Sequence, residues 1–179
     1  MNKKLSFIWY KYVSLLFRFL PIKNNRIVFE AYFGKGYGDN PKYIANELLK
    51  NKKKYELIWL VKDKYYGDIP KSIKQIKRGS FKELYYLSTS KIWIDNCRKP
   101  LGLIKRKNQF YIQTWHSSLR LKKIEKDAAI YLDSDYIAAC KNDSKMIDLI
   151  ISGCAFSTNI YKNSFWYDGE VLECGTPRC

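Results

Sequence analysis

From Arg26 onward, short runs rich in β-branched and aromatic residues alternate with longer stretches of helical character. Neighbouring parallel strands need a crossover between them, so this alternation points to a parallel sheet with helices on its faces. Strands are predicted over 26–31, 55–61, 72–77, 91–95, 109–114, 136–139 and 171–173. Asn40 followed by Pro41 reads as a helix cap with proline at the first helical position, and Ser80 with Glu83 reads as a capping box. Further helices are predicted over 143–151 and 157–163. The sequence has no internal repeat, low-complexity tract or Pro-rich linker. The expected fold class is α/β, a Rossmann-like sheet.

At 179 residues and 46% hydrophobic content, the chain can bury one sizeable core. Its 33 Lys and Arg against 17 Asp and Glu leave a formal charge of +16, which implies an anionic partner. Nucleic acid, an anionic membrane and a phosphate-bearing substrate all satisfy that charge. Cys97, Cys140, Cys154, Cys174 and Cys179 are widely spaced without a C-x-x-C pair, and there is one histidine. A zinc site, a disulfide framework and a catalytic thiol are therefore not expected. The clusters 50–54 and 105–107 read as solvated turns.

Residues 5–20 are apolar and aromatic but carry Lys11 and Arg18 and end at Pro21. That is short for a spanning helix of ~20 apolar residues, and the interrupted run lacks a small-x-small cleavage site. On a helix Lys4, Lys11 and Arg18 recur every seven residues and drift only ~20° per step, which aligns them on one side. Residues 1–22 are thus expected to form an amphipathic, membrane-interfacial helix with Lys4, Trp9, Lys11 and Arg18 at the lipid surface, ahead of an α/β domain over 23–179; a helix packed against a missing part of the protein and a true span are the alternatives.

Three segments carry chemistry-bearing residues. The run Gln109-Phe-Tyr-Ile-Gln-Thr-Trp-His116 places the histidine past the carboxyl end of a strand, where ligands of open α/β sheets bind. An imidazole there suits proton abstraction from a hydroxyl, and equally a hydrogen-bonded structural role. Arg120, Lys122 and Lys123 follow closely enough to hold a phosphate beside it, or to form one basic helix face. The loop Phe33-Gly-Lys-Gly-Tyr-Gly-Asp-Asn-Pro41 leaves a strand and enters a helix; it matches neither the Walker nor the dinucleotide spacing, and suits an anion cradle or a tight turn. Near the end, Glu173-Cys-Gly-Thr-Pro-Arg178-Cys179 closes a strand with a Gly-Pro turn and an arginine, and reads as a truncated or split protein.

Together these segments resemble the CDP-glycerol:poly(glycerophosphate) glycerophosphotransferases of teichoic acid synthesis. The resemblance rests on F-G-K-G-Y-G-D-N-P-K at 33–42, I-D-N at 94–96, Q-T-W-H at 113–116, L-K-K-I at 121–124 and G-T-P-R at 175–178. It implies the amino-terminal domain of a two-domain, GT-B-like fold, with His116 as general base. Ser117 stands where the family has glycine, and Ser118-Leu119 where it has Thr-Pro.

The resemblance further implies that His116 activates a hydroxyl of a lipid-linked glycerol phosphate acceptor against CDP-glycerol, whose donor site belongs to a second domain. Arg120, Lys122, Lys123 and Arg178 are then expected to hold phosphates, and Lys35, Asp39 and Asn40 to line the acceptor side. No cofactor, metal or nucleic acid is expected, and the protein is placed peripherally on the cytoplasmic face of the plasma membrane. By itself this part of the enzyme is expected to be inactive. The competing readings are a basic nucleic-acid-binding domain and a non-catalytic membrane-surface module.

Overall fold

Seven short strands line up side by side in the computed structural model, which describes residues 3–51, 54–67, 69–117 and 120–179. They are β1 (Lys23–Glu30), β2 (Glu56–Val61), β3 (Lys74–Lys77), β4 (Ser90–Asp95), β5 (Phe110–Gln113), β6 (Leu149–Ser152) and β7 (Glu170–Glu173). Every pairing is parallel, in the order β3-β2-β1-β4-β5-β6-β7. The chain winds outward from β1 to β3 and returns to β4 on the other side of β1. The resulting switch point between β1 and β4 is where a doubly wound sheet opens a crevice at its carboxyl edge.

Alternation along the central strands builds a core on each face. Val28, Ile58, Leu60, Trp93 and Tyr111 join one face, and Ile27, Phe29, Leu57, Trp59 and Ile94 the other. Strands buried on both faces read as continuous apolar runs, which is why β1, β2 and β4 were legible.

The helices are α1 (Lys3–Tyr12), α2 (Asp39–Lys50), α3 (Phe81–Thr89), α4 (Ser134–Ser144) and α5 (Ala155–Ser164), with a 3-10 turn over Val13–Phe17 and another over Glu125–Tyr131. Two predicted elements exchange type. The run 136–139, expected as a strand, lies in α4, because the Asp133 carboxylate caps it by accepting from the Asp135 and Tyr136 amides. The stretch 143–151, expected as a helix, ends α4 and then supplies β6, which fits between β5 and β7.

Two caps also differ in detail. Asn40 does not cap α2; Gly38 does, and Pro41 falls in the first turn instead of at its first position. Ser80 caps α3 by accepting from the Glu83 amide at 3.2 Å, but Glu83 reaches the amide of Gly79, 2.6 Å away, instead of that of Ser80.

The amino-terminal segment is seated on the body. Tyr10 and Ser14 are buried, Trp9 packs edge-on against Phe81, and Val13 and Phe17 join the same core as Leu84 and Leu87. Trp9, expected at the lipid surface, is turned toward the body. Leu5, Ile8, Leu16 and Phe19 remain exposed, Phe19 at 93%, together with Lys4. No described helix is long and apolar enough to cross a membrane.

Candidate active site

The carboxyl end of β5 is locked from behind before it delivers His116. Gln113 is fully buried; its amide nitrogen donates to the Cys97 carbonyl at 3.0 Å, and its amide oxygen accepts from Trp115 N at 2.8 Å. Thr114 donates from both its backbone and its hydroxyl to the Asp95 carbonyl. Trp115 then takes a left-handed conformation, φ 49°, uncommon for a bulky residue and held here by these bonds and by its ring against Phe165. The turn aims the next side chain across the sheet edge. His116 Nδ1 lies 3.0 Å from the Asn96 carbonyl at the end of β4.

A carbonyl accepts and cannot donate, so this contact assigns the proton of neutral His116 to Nδ1. Nε2 is left with its lone pair. A half-buried imidazole in that tautomer is equipped to take a proton. Its ring sits against Trp115, with Tyr32 edge-on at 6.2 Å.

Asn96 ties this position to the glycine-rich loop. Its side-chain amide donates to Asp39 at 2.6 Å and accepts from the Tyr32 amide at 2.8 Å. Asp39 also accepts from Arg178 at 2.7 Å. Asn40, buried, donates to the Thr114 and Trp115 carbonyls at 3.2 Å and accepts from Arg178 N at 3.3 Å. Four motifs far apart in sequence thus meet in one network that holds the His116 turn. The first glycine of the loop serves close packing: a Cβ on Gly34, φ +75°, would lie 3.0 Å from Arg78 Cδ and 3.2 Å from Lys62 N. Lys35 is exposed on that loop, and no side-chain bond joins it to the network among the described residues.

In front of His116 opens a cavity of about 550 Å³, lined among others by Trp115, Arg120, Lys122, Ile160 and Tyr161. Tyr161 donates to the Ser117 carbonyl at 3.0 Å and fixes the loop beyond the histidine. The basic run that follows forms no helix face over residues 120–124. Arg120 lines the cavity but is already paired with Asp127; Lys122 lines it as well, and Lys123 is exposed outside its lining. Arg178 is bound to Asp39 and is not among the lining residues of this cavity.

The sequence model described as CDP-Glycerol:Poly(glycerophosphate) glycerophosphotransferase matches residues 12–179. The chain belongs to this family. It is 36% identical over 163 residues to a teichoic acid poly(glycerol phosphate) polymerase of Staphylococcus epidermidis, a match covering 88% of this chain and 22% of that protein. A polymerase of the same description from Bacillus spizizenii is 34% identical over 177 residues, covering 92% and 44%. In three dimensions the chain is similar to a variant of the wall teichoic acid polymerase TagF, with a TM-score of 0.82 and 31% identity over 98% of this chain and 46% of that one. TagF has also been solved after soaking with CDPG, and that structure matches equally well. The chain spans less than half the length of these relatives.

Three contributors lay outside the sequence reading. Tyr32 and Tyr161 carry no motif signal, since each is one of 15 tyrosines. Asn96 lay within a quoted motif without a role, and its partners Asp39 and His116 are 57 and 20 residues away in sequence.

Proposed function

We propose that this chain forms the acceptor-side half of a CDP-glycerol glycerophosphotransferase, with His116 as its general base. The observation that carries the reading is the Asn96 carbonyl on Nδ1, which leaves Nε2 as the basic nitrogen of a histidine that lines the cavity. In the step proposed, Nε2 takes the proton of a terminal glycerol hydroxyl on a lipid-linked glycerol phosphate acceptor. That oxygen bonds to the β-phosphorus of CDP-glycerol, and the bond from phosphorus to the CMP oxygen breaks. Lys122 and Arg120, which line the cavity, would hold the acceptor's phosphates, and Arg178 would join them from its place on Asp39. Lys35 and Lys123, both exposed, would act at longer range. The donor is assigned to the portion of the relatives that lies beyond the matched region.

The membrane part of the proposal rests on the exposed row Leu5, Ile8, Leu16 and Phe19 with Lys4, Lys11 and Arg18 nearby. An apolar row flanked by cations suits the cytoplasmic surface of an anionic bilayer, where each Lys or Arg contributes about 1 kcal/mol.

The test is CMP release from CDP-glycerol by the chain joined to the complementary portion of a relative. Activity should appear only in the joined protein, and His116→Ala should remove it. Activity of the joined His116→Ala protein close to that of its parent would take the base role away from His116. For the membrane contact, Leu16→Ser with Phe19→Ser should weaken sedimentation with phosphatidylglycerol vesicles. Deleting residues 1–22 is a poorer probe, since Tyr10 and Ser14 belong to the core.

A further inference from the structure

A second cavity, of about 500 Å³, lies on the same edge of the sheet and shares no lining residue with the one at His116. Four neighbouring strand ends feed it: Arg78 and Gly79 after β3, Lys62 after β2, Phe33 after β1, and Arg98 with Lys99 after β4. Ser6 and Tyr10 of α1 and Tyr136, Ala139 and Cys140 of α4 complete the wall. Among the described residues that wall holds four cations and no carboxylate.

The acids that balance these cations stand one layer back. Glu30 accepts from Arg78 Nε and, at 2.9 Å, from Lys99; Asp95 lies 2.5 Å from Lys99; Asp143 and Glu125 accept from the two terminal nitrogens of Arg98 at 3.1 and 3.2 Å. The two tyrosine hydroxyls of the wall also point at acids, Tyr10 at Glu83 and Tyr136 at Glu125. Each acid therefore orients a donor without filling the cavity. Donors are left over. Neither terminal nitrogen of Arg78 has an acceptor among the described residues; Arg98 Nε also lacks one, but it is buried behind the wall and both terminal nitrogens of Arg98 are engaged.

Burying three such cations is a costly way to stabilise a fold, since well-packed apolar residues do as well or better. Convergent, pre-oriented guanidinium and ammonium groups with unused donors are what a phosphate oxygen requires. We propose that this second cavity binds a phosphate ester through Lys62 and Arg78, with Arg98 and Lys99 contributing charge from the wall, at a site separate from His116. Because α1 supplies Ser6 and Tyr10 to the wall and carries exposed Leu5 and Ile8, the phosphate can arrive free in solution or as a lipid headgroup.

The test uses the whole chain and needs no transferase activity. Lysine acetylation by a water-soluble reagent is followed residue by residue at constant ionic strength, with Lys162, exposed on α5, as internal control. Glycerol 3-phosphate at about ten times its dissociation constant should slow labelling of Lys62 about tenfold and leave Lys162 unchanged, as 1 + [L]/Kd requires. Protection by phosphatidylglycerol vesicles but not by glycerol 3-phosphate would identify the source as a lipid headgroup. Ala139→Phe, which fills the cavity without altering charge, should abolish protection in a protein whose circular dichroism is unchanged. Equal labelling of Lys62 with and without either ligand, or protection that persists in folded Ala139→Phe, would overturn the site.

Discussion

To the left of β5, the ends of β3, β2, β1 and β4 deliver charge that is buried and paired; on the right, β5 delivers one imidazole held by a single carbonyl. Arg78, Arg98 and Lys99 each sit against buried acids, and burial drives several of those acids away from their ordinary range. Burial lifts Asp95 to about 7 despite Lys99. Glu30 is also pushed up by burial, but Arg78 and Lys99 outweigh that and hold it at about 2. The two sides divide the work of an active sheet edge. The left side is over-determined, so losing one member leaves a charge stranded, whereas the right side is built around one group that can be removed without leaving any partner charged.

The largest expected effect follows from that contrast. Arg98→Ala strands Asp143 and Glu125, both buried, and should cost about 3–5 kcal/mol in a denaturant titration. A cost below about 1 kcal/mol, the scale of an exposed pair, would show that the left side is not over-determined.

His116→Ala should do the reverse. Its stability change should stay at about 1 kcal/mol, since one hydrogen bond to a carbonyl and the ring contacts with Trp115 and Tyr32 are lost but no partner charge is stranded. Turnover of the joined protein, measured as CMP release, should fall about 10²–10⁴-fold. A variant that unfolds instead would make the histidine structural and erase the difference between the two sides.

The same contrast governs what could be read in the sequence. The strands at 26–31, 55–61 and 91–95 announced themselves because they are buried on both faces, and the position of His116 at a strand mouth followed from that pattern. The run 136–139 misled because Tyr-Ile-Ala-Ala has no period that separates a strand from a helix; the deciding group, Asp133, lies just ahead of it. The run Leu149–Ser152 is the converse, a four-residue strand that reads as a continuing helix. The buried charge was illegible for another reason. Arg98 and Lys99 belong to no motif in the sequence, and their partners Asp143 and Glu30 are 45 and 69 residues away.

A smaller effect tests how α1 is attached to the left side. Tyr10 donates to both oxygens of Glu83 at 3.3 Å, alongside the apolar contacts that Tyr10 and Trp9 make with the core. Tyr10→Phe keeps those contacts and should cost about 1 kcal/mol. Amide exchange should rise first in α1 if this bond helps to hold it. Uniform exchange across the chain would mean that the apolar contacts alone set its docking.

The smallest expected effect is a slope with pH, and its sign distinguishes the acids of the left side. Burial raises Glu83 to about 7 from its usual 4.5, with the nearby Glu30 adding to the shift. Asp95 moves the same way. A carboxyl with a raised folded pKa contributes stability that is fully present below the unfolded pKa and is lost as pH rises through the folded one. Glu30 has the opposite sign: its contribution is present above 4.5 and is lost as pH falls through about 2. Between pH 5 and pH 8 Glu30 does not change, while the raised acids, buried Asp143 among them, all act in the same direction, so the Tm should decline across that window. Glu83→Gln keeps an acceptor for Tyr10 and Gly79 and removes one of these titrations, so it should flatten the decline without abolishing it. A Tm that is level or rising from pH 5 to pH 8, or a slope unchanged in Glu83→Gln, would mean that these acids are solvated enough to stay ionised. The left side would then be an ordinary surface ion-pair network, and the contrast with the open side at His116 would rest on Arg98 alone.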